Sequence, residues 1–128
     1  MNRSSEARKQ APTSEQLNDI IIDSIQDIKG KNVVKLDLRK LADASIDYFI
    51  ICEGDSSTQI QAIADNIYTR LKKEENTLPS HKEGLRSNRW VCLDYFSTVV
   101  HVFYPEARTY YGLEELWSDA EFVEYQSL

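Results

Sequence analysis

The sequence predicts one layered α/β domain. Two amphipathic helical patterns are interspersed with strand-like runs along 128 residues, and 41% of the residues are hydrophobic. A chain of this length and composition can bury a single core. It has no run of about 18 apolar residues for a membrane span, and its N-terminus lacks the apolar stretch of a secretory signal. We therefore expect a soluble, cytoplasmic protein.

The first predicted elements are a tail and a helix. Residues 1–12 are polar and without periodicity, which predicts a disordered N-terminal tail. Thr13 and Gln16 have the spacing of a capping box, which starts a helix. The apolar positions that follow have helical spacing: Leu17, Ile20, Ile21, Ile25 and Ile28. Gly30 is expected to end this helix.

Two strands and a second helix are predicted next. The run from Val34 to Leu38 alternates apolar and polar residues, as a half-buried strand does. Residues 46–52 are almost continuously apolar, which indicates a central strand. Ser56 and Gln59 then form a second predicted capping box. The apolar face of the helix that follows consists of Ile60, Ile63, Ala64, Ile67 and Leu71.

The turn from Gly54 to Ser57 raises the alternative of a nucleotide-binding enzyme. It lies between a strand and a helix, where backbone N–H groups can bind phosphate. However, it contains one glycine, no lysine, and an aspartate that would repel an anion. A nucleotidyltransferase would also require paired aspartates for metal ions shortly downstream, and only Asp65 is found there. A plain helix cap is therefore favoured.

No cofactor or metal is expected. Residues 74–88 include Pro79 and Gly84 without a clear period, which predicts a long loop. The histidines and cysteines of the chain do not have the spacing of zinc ligands. Cys52 and Cys92 both lie in strand-like sequence, so we expect them to be reduced core residues.

The segment from Trp90 to Trp117 is rich in aromatic residues, with both tryptophans and four of the seven tyrosines. Runs at 89–95 and 98–104 predict a hairpin that turns at Phe96 and Ser97. A symmetric register pairs Trp90 with Phe103, Cys92 with His101, Asp94 with Val99, Val91 with Val102, and Leu93 with Val100. The aliphatic face of this hairpin is expected to be core. The mixed face, with Trp90, Asp94, His101 and Phe103, is a candidate contact surface, since no nucleophile accompanies its acid and histidine.

The end of the chain is acidic. A helical turn is predicted from Pro105, and Leu113, Leu116 and Trp117 are expected to close the fold. Residues 106–128 contain six acidic residues and a single base, Arg108, so most of the net charge of −6 lies here. This charge disfavours nucleic-acid contact and favours a basic protein partner. A solvated acidic tail at 121–128, outside a domain at 13–120, explains the charge equally well.

Twelve short groups of residues together carry a family resemblance. They are Asp47–Cys52, Gly54–Gln59, Ala62–Asp65, His81, Glu83–Gly84, Trp90, Asp94, Val100–Phe103, Arg108, Tyr111, Leu113–Glu114 and Leu116–Trp117. Each group is a weak motif, but their order and spacing from about Thr13 to Ala120 resemble the ribosomal silencing factor family, also called Iojap or RsfS.

The resemblance implies a mixed β-sheet flanked by α-helices, similar to nucleotidyltransferases but without their catalytic residues. It also implies a factor that is not an enzyme. Such a factor binds the large ribosomal subunit through its fourteenth protein, blocks joining of the small subunit and represses translation during nutrient limitation. Organellar relatives act in large-subunit assembly and some relatives are dimers when free, so an assembly factor or dimeric adaptor is the alternative.

The resemblance also implies a partner-binding surface. Carried over residue by residue, it consists of Trp90, Asp94, His101, Phe103, Arg108, Tyr111, Leu113, Glu114 and Trp117. One departure is Phe96, which stands where many relatives have glycine, so the resemblance does not extend to the hairpin tip or to a contact made there.

Overall fold

A computed structural model describes residues 11–84 and 87–127. The predicted disordered tail at 1–12 therefore lies outside the described residues, except for its last two. In chain order the elements are α1 (Ser14–Asp27), β1 (Lys31–Asp37), β2 (Tyr48–Glu53), α2 (Ser57–Glu75), β3 (His81–Glu83), β4 (Trp90–Asp94), β5 (Thr98–Phe103), α3 (Pro105–Tyr111), α4 (Leu113–Leu116) and β6 (Glu121–Glu124).

The strands form one mixed sheet in the order β3-β4-β5-β2-β1-β6. Strands β2 and β5 are parallel, and every other neighbouring pair is antiparallel. Because β2 and β5 lie at the centre, the prediction that residues 46–52 form a central strand is confirmed, with its start moved to Tyr48. The predicted α/β class with a mixed sheet and flanking helices is likewise confirmed. None of the described helices is long and apolar enough to cross a membrane.

Helix α1 begins at the predicted capping box. The Thr13 hydroxyl accepts from the Gln16 N–H at 3.1 Å, and the Gln16 side-chain oxygen accepts from the Thr13 N–H at 2.8 Å. The role predicted for Gly30 is different, because Lys29 takes the left-handed conformation after the helix, with φ 61°. Gly30 instead allows close packing, since a Cβ there would lie 2.3 Å from Ile25 Cγ2.

Helix α2 begins at Ser56, but its predicted capping box is only half correct. The Ser56 hydroxyl accepts from the Gln59 N–H at 3.1 Å, whereas the Gln59 side-chain oxygen accepts from Asp55 rather than from Ser56. The Gln59 amide also donates to the carbonyl of Ile28 at 3.0 Å, which ties the start of α2 to the end of α1. All five predicted apolar positions of α2 are buried.

The two faces of the sheet bury separate clusters. One face packs against α1 and α2 and includes the aliphatic side of the β4–β5 hairpin: Val91, Leu93, Val100 and Val102. The other face is covered near its centre by α3 and α4, and its buried members include Val34, Leu36, Ile51, Phe103 and Ala107. The five residue pairs predicted for the hairpin are all observed, so its register is confirmed.

The tip of the hairpin carries an unusual residue for its backbone conformation. Phe96 has φ 71°, in the left-handed region, and its side chain is 72% exposed. The Asp94 carboxylate accepts from the Phe96 N–H at 2.8 Å and stabilises the turn. The carbonyl of Ser97 accepts from the N–H groups of Asp47 and Tyr48, both at 3.0 Å, and joins the tip to the start of β2.

Three predictions about elements need correction. The loop predicted at 74–88 contains the end of α2 and the short edge strand β3, although residues 85 and 86 lie outside the described part. The acidic tail predicted at 121–128 contains β6, which pairs with β1 from Val34 to Asp37, so the folded domain extends beyond residue 120. Leu116 does not close the fold, since it is 72% exposed, whereas Leu113 and Trp117 do pack against the core.

Candidate functional site

A series of rings in edge-on and tilted contact connects the buried sheet to the protein surface. We call it the aromatic row, and its six members in order are Trp117, Phe49, His101, Trp90, Tyr111 and Tyr110. Successive ring centroids are 6.3, 4.6, 5.8, 4.5 and 5.0 Å apart. His101 is 5% exposed, whereas Tyr111 and Tyr110 at the far end are 51% and 82% exposed. The row therefore presents aromatic surface on a buried support.

Helix α3 places the two tyrosines at the surface. Pro105 occupies its first turn, where a missing N–H costs nothing, and Gly112 with φ 57° ends it. Ala107 is buried against the sheet, and this small side chain lets the helix approach Phe103 closely. Because α3 covers it, Phe103 is completely buried.

Arg108 holds α3 to the sheet. Its guanidinium forms a two-point ion pair with Glu114, at 2.9 and 3.0 Å, and donates to Glu53 at 2.9 Å. It also donates to the carbonyl of Asn32 at 2.7 Å. Burial opposes the charge, but the hydrogen bonds and charges of Glu114 and Glu53 outweigh it and raise the pKa of Arg108. Arg108 thus joins α3, the start of α4 and strands β1 and β2.

His101 holds Trp90 in the middle of the aromatic row. The Trp90 Nε1–H donates to His101 Nδ1 at 3.0 Å, and Cys92 Sγ lies 3.4 Å from the same nitrogen. Burial lowers the pKa of His101 to about 4, so its ring is neutral near pH 7. Since Nδ1 is an acceptor, the proton of the neutral ring is on Nε2. That atom is buried and has no hydrogen-bond partner among the described residues.

The two cysteines differ in their surroundings. Cys52 is fully buried, as predicted, and Cys92 is only partly buried on the opposite face of the sheet. Burial raises the pKa of the Cys52 thiol to about 12 and that of the Cys92 thiol to about 11. Both are therefore thiols near neutral pH, and the Cys92 sulfur is in contact with His101 Nδ1.

The structure brings together eight of the nine residues predicted for the partner-binding surface. Trp90, Tyr111, Leu113, Glu114 and Trp117 retain exposed area beside α3 and α4. Phe103 and His101 are buried, so the expectation that they face a partner directly is wrong, and they support the surface from beneath. Arg108 is mostly committed to contacts within the chain, with a side chain 12% exposed.

Asp94 lies apart from the other eight. It is four residues along β4 from Trp90, a distance of about 13 Å in a strand. Its carboxylate is engaged by the Phe96 N–H at the hairpin tip. Asp94 therefore shapes the tip of the hairpin and does not share a patch with Trp90.

Sequence reasoning missed two exposed residues beside the same surface: Tyr110 and Glu115. The signal for Tyr110 was its position next to Tyr111, because adjacent helical residues point in different directions and one of the pair had to be exposed. Glu115, Glu114 and Glu53 line an open cleft of about 460 Å³ around Arg108, so acidic groups outnumber the single base there.

The first two amides of the Gly54 to Ser57 turn are engaged within the chain and are not available to a phosphate. The Gly54 N–H donates to the carbonyl of Phe103 at 3.0 Å, and the Asp55 N–H donates to Gln59 at 2.6 Å. The Asp55 carboxylate pairs with Lys31 at 2.6 Å. Within residues 11–84 and 87–127, no cluster of three or more His, Cys, Asp or Glu side chains is arranged to hold a metal ion.

A mixed sheet that supports an exposed aromatic surface beside an acidic cleft has features that are typical of protein-binding domains. Residues 11–128 match the model of the family described as ribosomal silencing factor during starvation. The chain is 34% identical to the ribosomal silencing factor RsfS of Halalkalibacterium halodurans, over 91% of this chain and 97% of that protein. The chain therefore belongs to the ribosomal silencing factor family, and the resemblance seen in the sequence is confirmed.

Two further relatives agree with this assignment. A crystal structure of a Chromobacterium violaceum protein superimposes with a TM-score of 0.78 at 34% identity, covering 84% of this chain and 88% of the other. The chain is also 36% identical to the mitochondrial assembly of ribosomal large subunit protein 1 of Mus musculus, over 59% of this chain and 34% of that protein. The fold and the sequence thus indicate the same family.

Proposed function

We propose that this protein binds the large ribosomal subunit through the fourteenth protein of that subunit and keeps the small subunit from joining. Translation would then be repressed when nutrients are limiting. Family membership supports a role at the ribosome, and the exposed end of the aromatic row carries the proposal. Tyr110 and Tyr111 form an exposed aromatic surface beside half-buried Trp90, and α4 carries a further exposed apolar side chain, Leu116. Aromatic residues that are exposed on a rigid support are typical anchors of protein interfaces.

The charge around this surface favours a basic protein as the partner. Glu114, Glu115 and Glu106 lie on α3 and α4, and Arg108 is neutralised by its own ion pairs. An acidic rim attracts a basic surface and speeds association, and added salt weakens this attraction. The same rim would repel the phosphates of ribosomal RNA, so we expect little direct contact with nucleic acid.

Repression of this kind requires no chemical step. A folded domain of 14.8 kDa on the intersubunit side of the large subunit occupies space that the small subunit needs. The degree of repression then depends on the fraction of large subunits that carry the protein. A variant that binds less tightly should therefore repress in proportion to its lower occupancy.

Co-sedimentation with purified large subunits tests the docking surface. Tyr111→Ala removes an anchor that is 51% exposed, and Leu78→Ala is a matched control because Leu78 is also 51% exposed but lies beyond the Asp94 end of β4. We expect wild-type protein and Leu78→Ala to pellet with large subunits. Loss of an interface anchor should weaken binding by about tenfold or more for Tyr111→Ala.

The same samples test the steric mechanism when small subunits are added and the joined particles are measured on sucrose gradients. Wild-type protein should lower the joined fraction, and Tyr111→Ala should lower it much less. Equal binding by Tyr111→Ala and wild type would remove Tyr111 from the surface. Tight binding without any loss of joined particles would refute the steric block.

A role in large-subunit assembly is the second candidate, because the relative from Mus musculus is named for that process. Depletion of an assembly factor leads to accumulation of incomplete large subunits, whereas depletion of a silencing factor leaves complete ones. A homodimer of the free protein is a further candidate assembly, and its interface can be tested for overlap with the docking surface. Light scattering of wild type and Tyr111→Ala would show a change of mass if the two interfaces share this surface.

A further inference from the structure

We infer that His101 is a positioning residue that fixes the orientation of the Trp90 indole and thereby the exposed end of the aromatic row. The inference rests on the proposed docking function, because it states how that surface is held ready for a partner. His101 itself is buried and would not touch the partner. Its effect passes through Trp90 to Tyr111, whose rings lie 4.5 Å apart.

The contact between His101 and Trp90 includes a hydrogen bond in addition to the contact between the two rings. A contact between rings is kept over a range of offsets, whereas an N–H donor requires its acceptor nearly in line. The Trp90 indole has a single N–H, and it donates to His101 Nδ1 at 3.0 Å. This bond selects one orientation of the indole, and the Tyr111 ring packs against that orientation.

His101 is itself held firmly. Phe49 packs edge-on against its ring at 4.6 Å with an interplanar angle of 84°. Phe103 lies nearly parallel to it, at 6.1 Å and 12°. Strand β5, which carries both His101 and Phe103, lies between β4 and β2 in the interior of the sheet. The acceptor atom is therefore immobile relative to the sheet.

His101 Nε2 has no hydrogen-bond partner among the described residues, so the polar contacts that those residues give the ring are made at Nδ1. Phe103, two residues away on the same face, contacts the same indole by stacking alone, at 5.0 Å and 27°. What the imidazole adds is an unprotonated Nδ1 that accepts from Trp90.

Three variants separate positioning from packing. His101→Asn keeps an acceptor, because the amide oxygen is two bonds from Cβ, as Nδ1 is. His101→Leu fills similar space without an acceptor. Cys92→Ala removes the second group near Nδ1 and leaves the Trp90 bond in place.

Hydrogen exchange of the Trp90 indole N–H, measured by NMR on the free protein, reports the bond directly. The variant Trp117→Phe, which has one indole, assigns the two indole signals of the wild type.

We expect the Trp90 indole proton to exchange about tenfold faster or more in His101→Leu and near the wild-type rate in His101→Asn and Cys92→Ala. Binding to large subunits should weaken in the same order. An unchanged exchange rate in His101→Leu would overturn the inference, and so would faster exchange with wild-type binding. If wild-type protein does not bind large subunits, the proposed function fails, while exchange still tests the His101–Trp90 contact.

A measurement on the wild-type protein covers the case in which His101→Leu does not fold. The ¹⁵N chemical shifts of the His101 ring distinguish its two neutral forms. The structure requires the proton on Nε2 and none on Nδ1, because Trp90 can only donate. A proton found on Nδ1 would exclude the bond and overturn the inference.

Discussion

Acidification should destabilise this protein through His101 before its carboxylates contribute. Burial lowers the pKa of His101 to about 4 in the folded chain, against an ordinary value of 6.5. Below pH 6.5 the unfolded chain therefore binds a proton at this position that the folded chain does not. The free energy of unfolding therefore decreases as the pH is lowered from 6.5 to about 4, and it levels off below about pH 4.

The two pKa values set the size of the effect. A difference of one pKa unit corresponds to about 1.4 kcal/mol, so the full loss of stability is about 3 kcal/mol. About two thirds of this loss or more has occurred by about pH 4.5. The carboxyl groups of Asp37 and Glu74, whose pKa values are lowered by hydrogen bonds from Arg39 and Arg70, lose their contributions at lower pH.

Urea unfolding of wild type and His101→Asn at about pH 7 and about pH 4.5 measures this effect. The wild type should lose about 2 kcal/mol more than the variant between the two conditions. His81→Asn, at the exposed strand β3, is the control for loss of a histidine as such. An equal fall in stability for wild type and His101→Asn would show that His101 is not the group that resists protonation.

Two further predictions concern the ends of the sheet. Phe96→Gly should raise the free energy of unfolding by about 1 kcal/mol, because glycine adopts φ 71° without steric cost and little packing is lost. Thermal unfolding measures it, and an equal gain from Phe96→Ala would contradict the backbone explanation. Truncation after Ala120 should lower stability by about 2 kcal/mol or more, because β6 is lost from β1. Urea unfolding measures this loss. Removal of residues 127–128 is the control. If the protein truncated after Ala120 is as stable as wild type, the segment from residue 121 does not stabilise the fold.

Several elements were predicted correctly because the sequence pattern that predicts each of them lies within one element or between two adjacent ones. The apolar face of α2 follows from the spacing of its own residues, and all five positions are buried. The hairpin register follows from alternation in two adjacent runs joined by a short turn. The capping box at Thr13 depends on two residues three positions apart.

The candidate surface was predicted in composition but not in exposure. Trp90 and Phe103 are a cross-strand pair with similar sequence surroundings, yet Phe103 is buried beneath Ala107 while Trp90 reaches the surface. Which of the two is covered depends on where α3 crosses the sheet. Arg108 fixes that position through Glu53 and the carbonyl of Asn32, which are 55 and 76 residues away in the chain.

The sequence by itself determined the α/β class, the helices α1 and α2, the hairpin and the family of this protein. These depend on periodicity, caps and ordered motifs, which act between near neighbours in the chain. Only the tertiary structure decided that the acidic end forms β6, that Phe103 and His101 support the surface from beneath, and that Tyr110 and Leu116 are exposed on it. The physical reason is that burial is a property of elements packed together, and contacts between distant residues leave no local pattern.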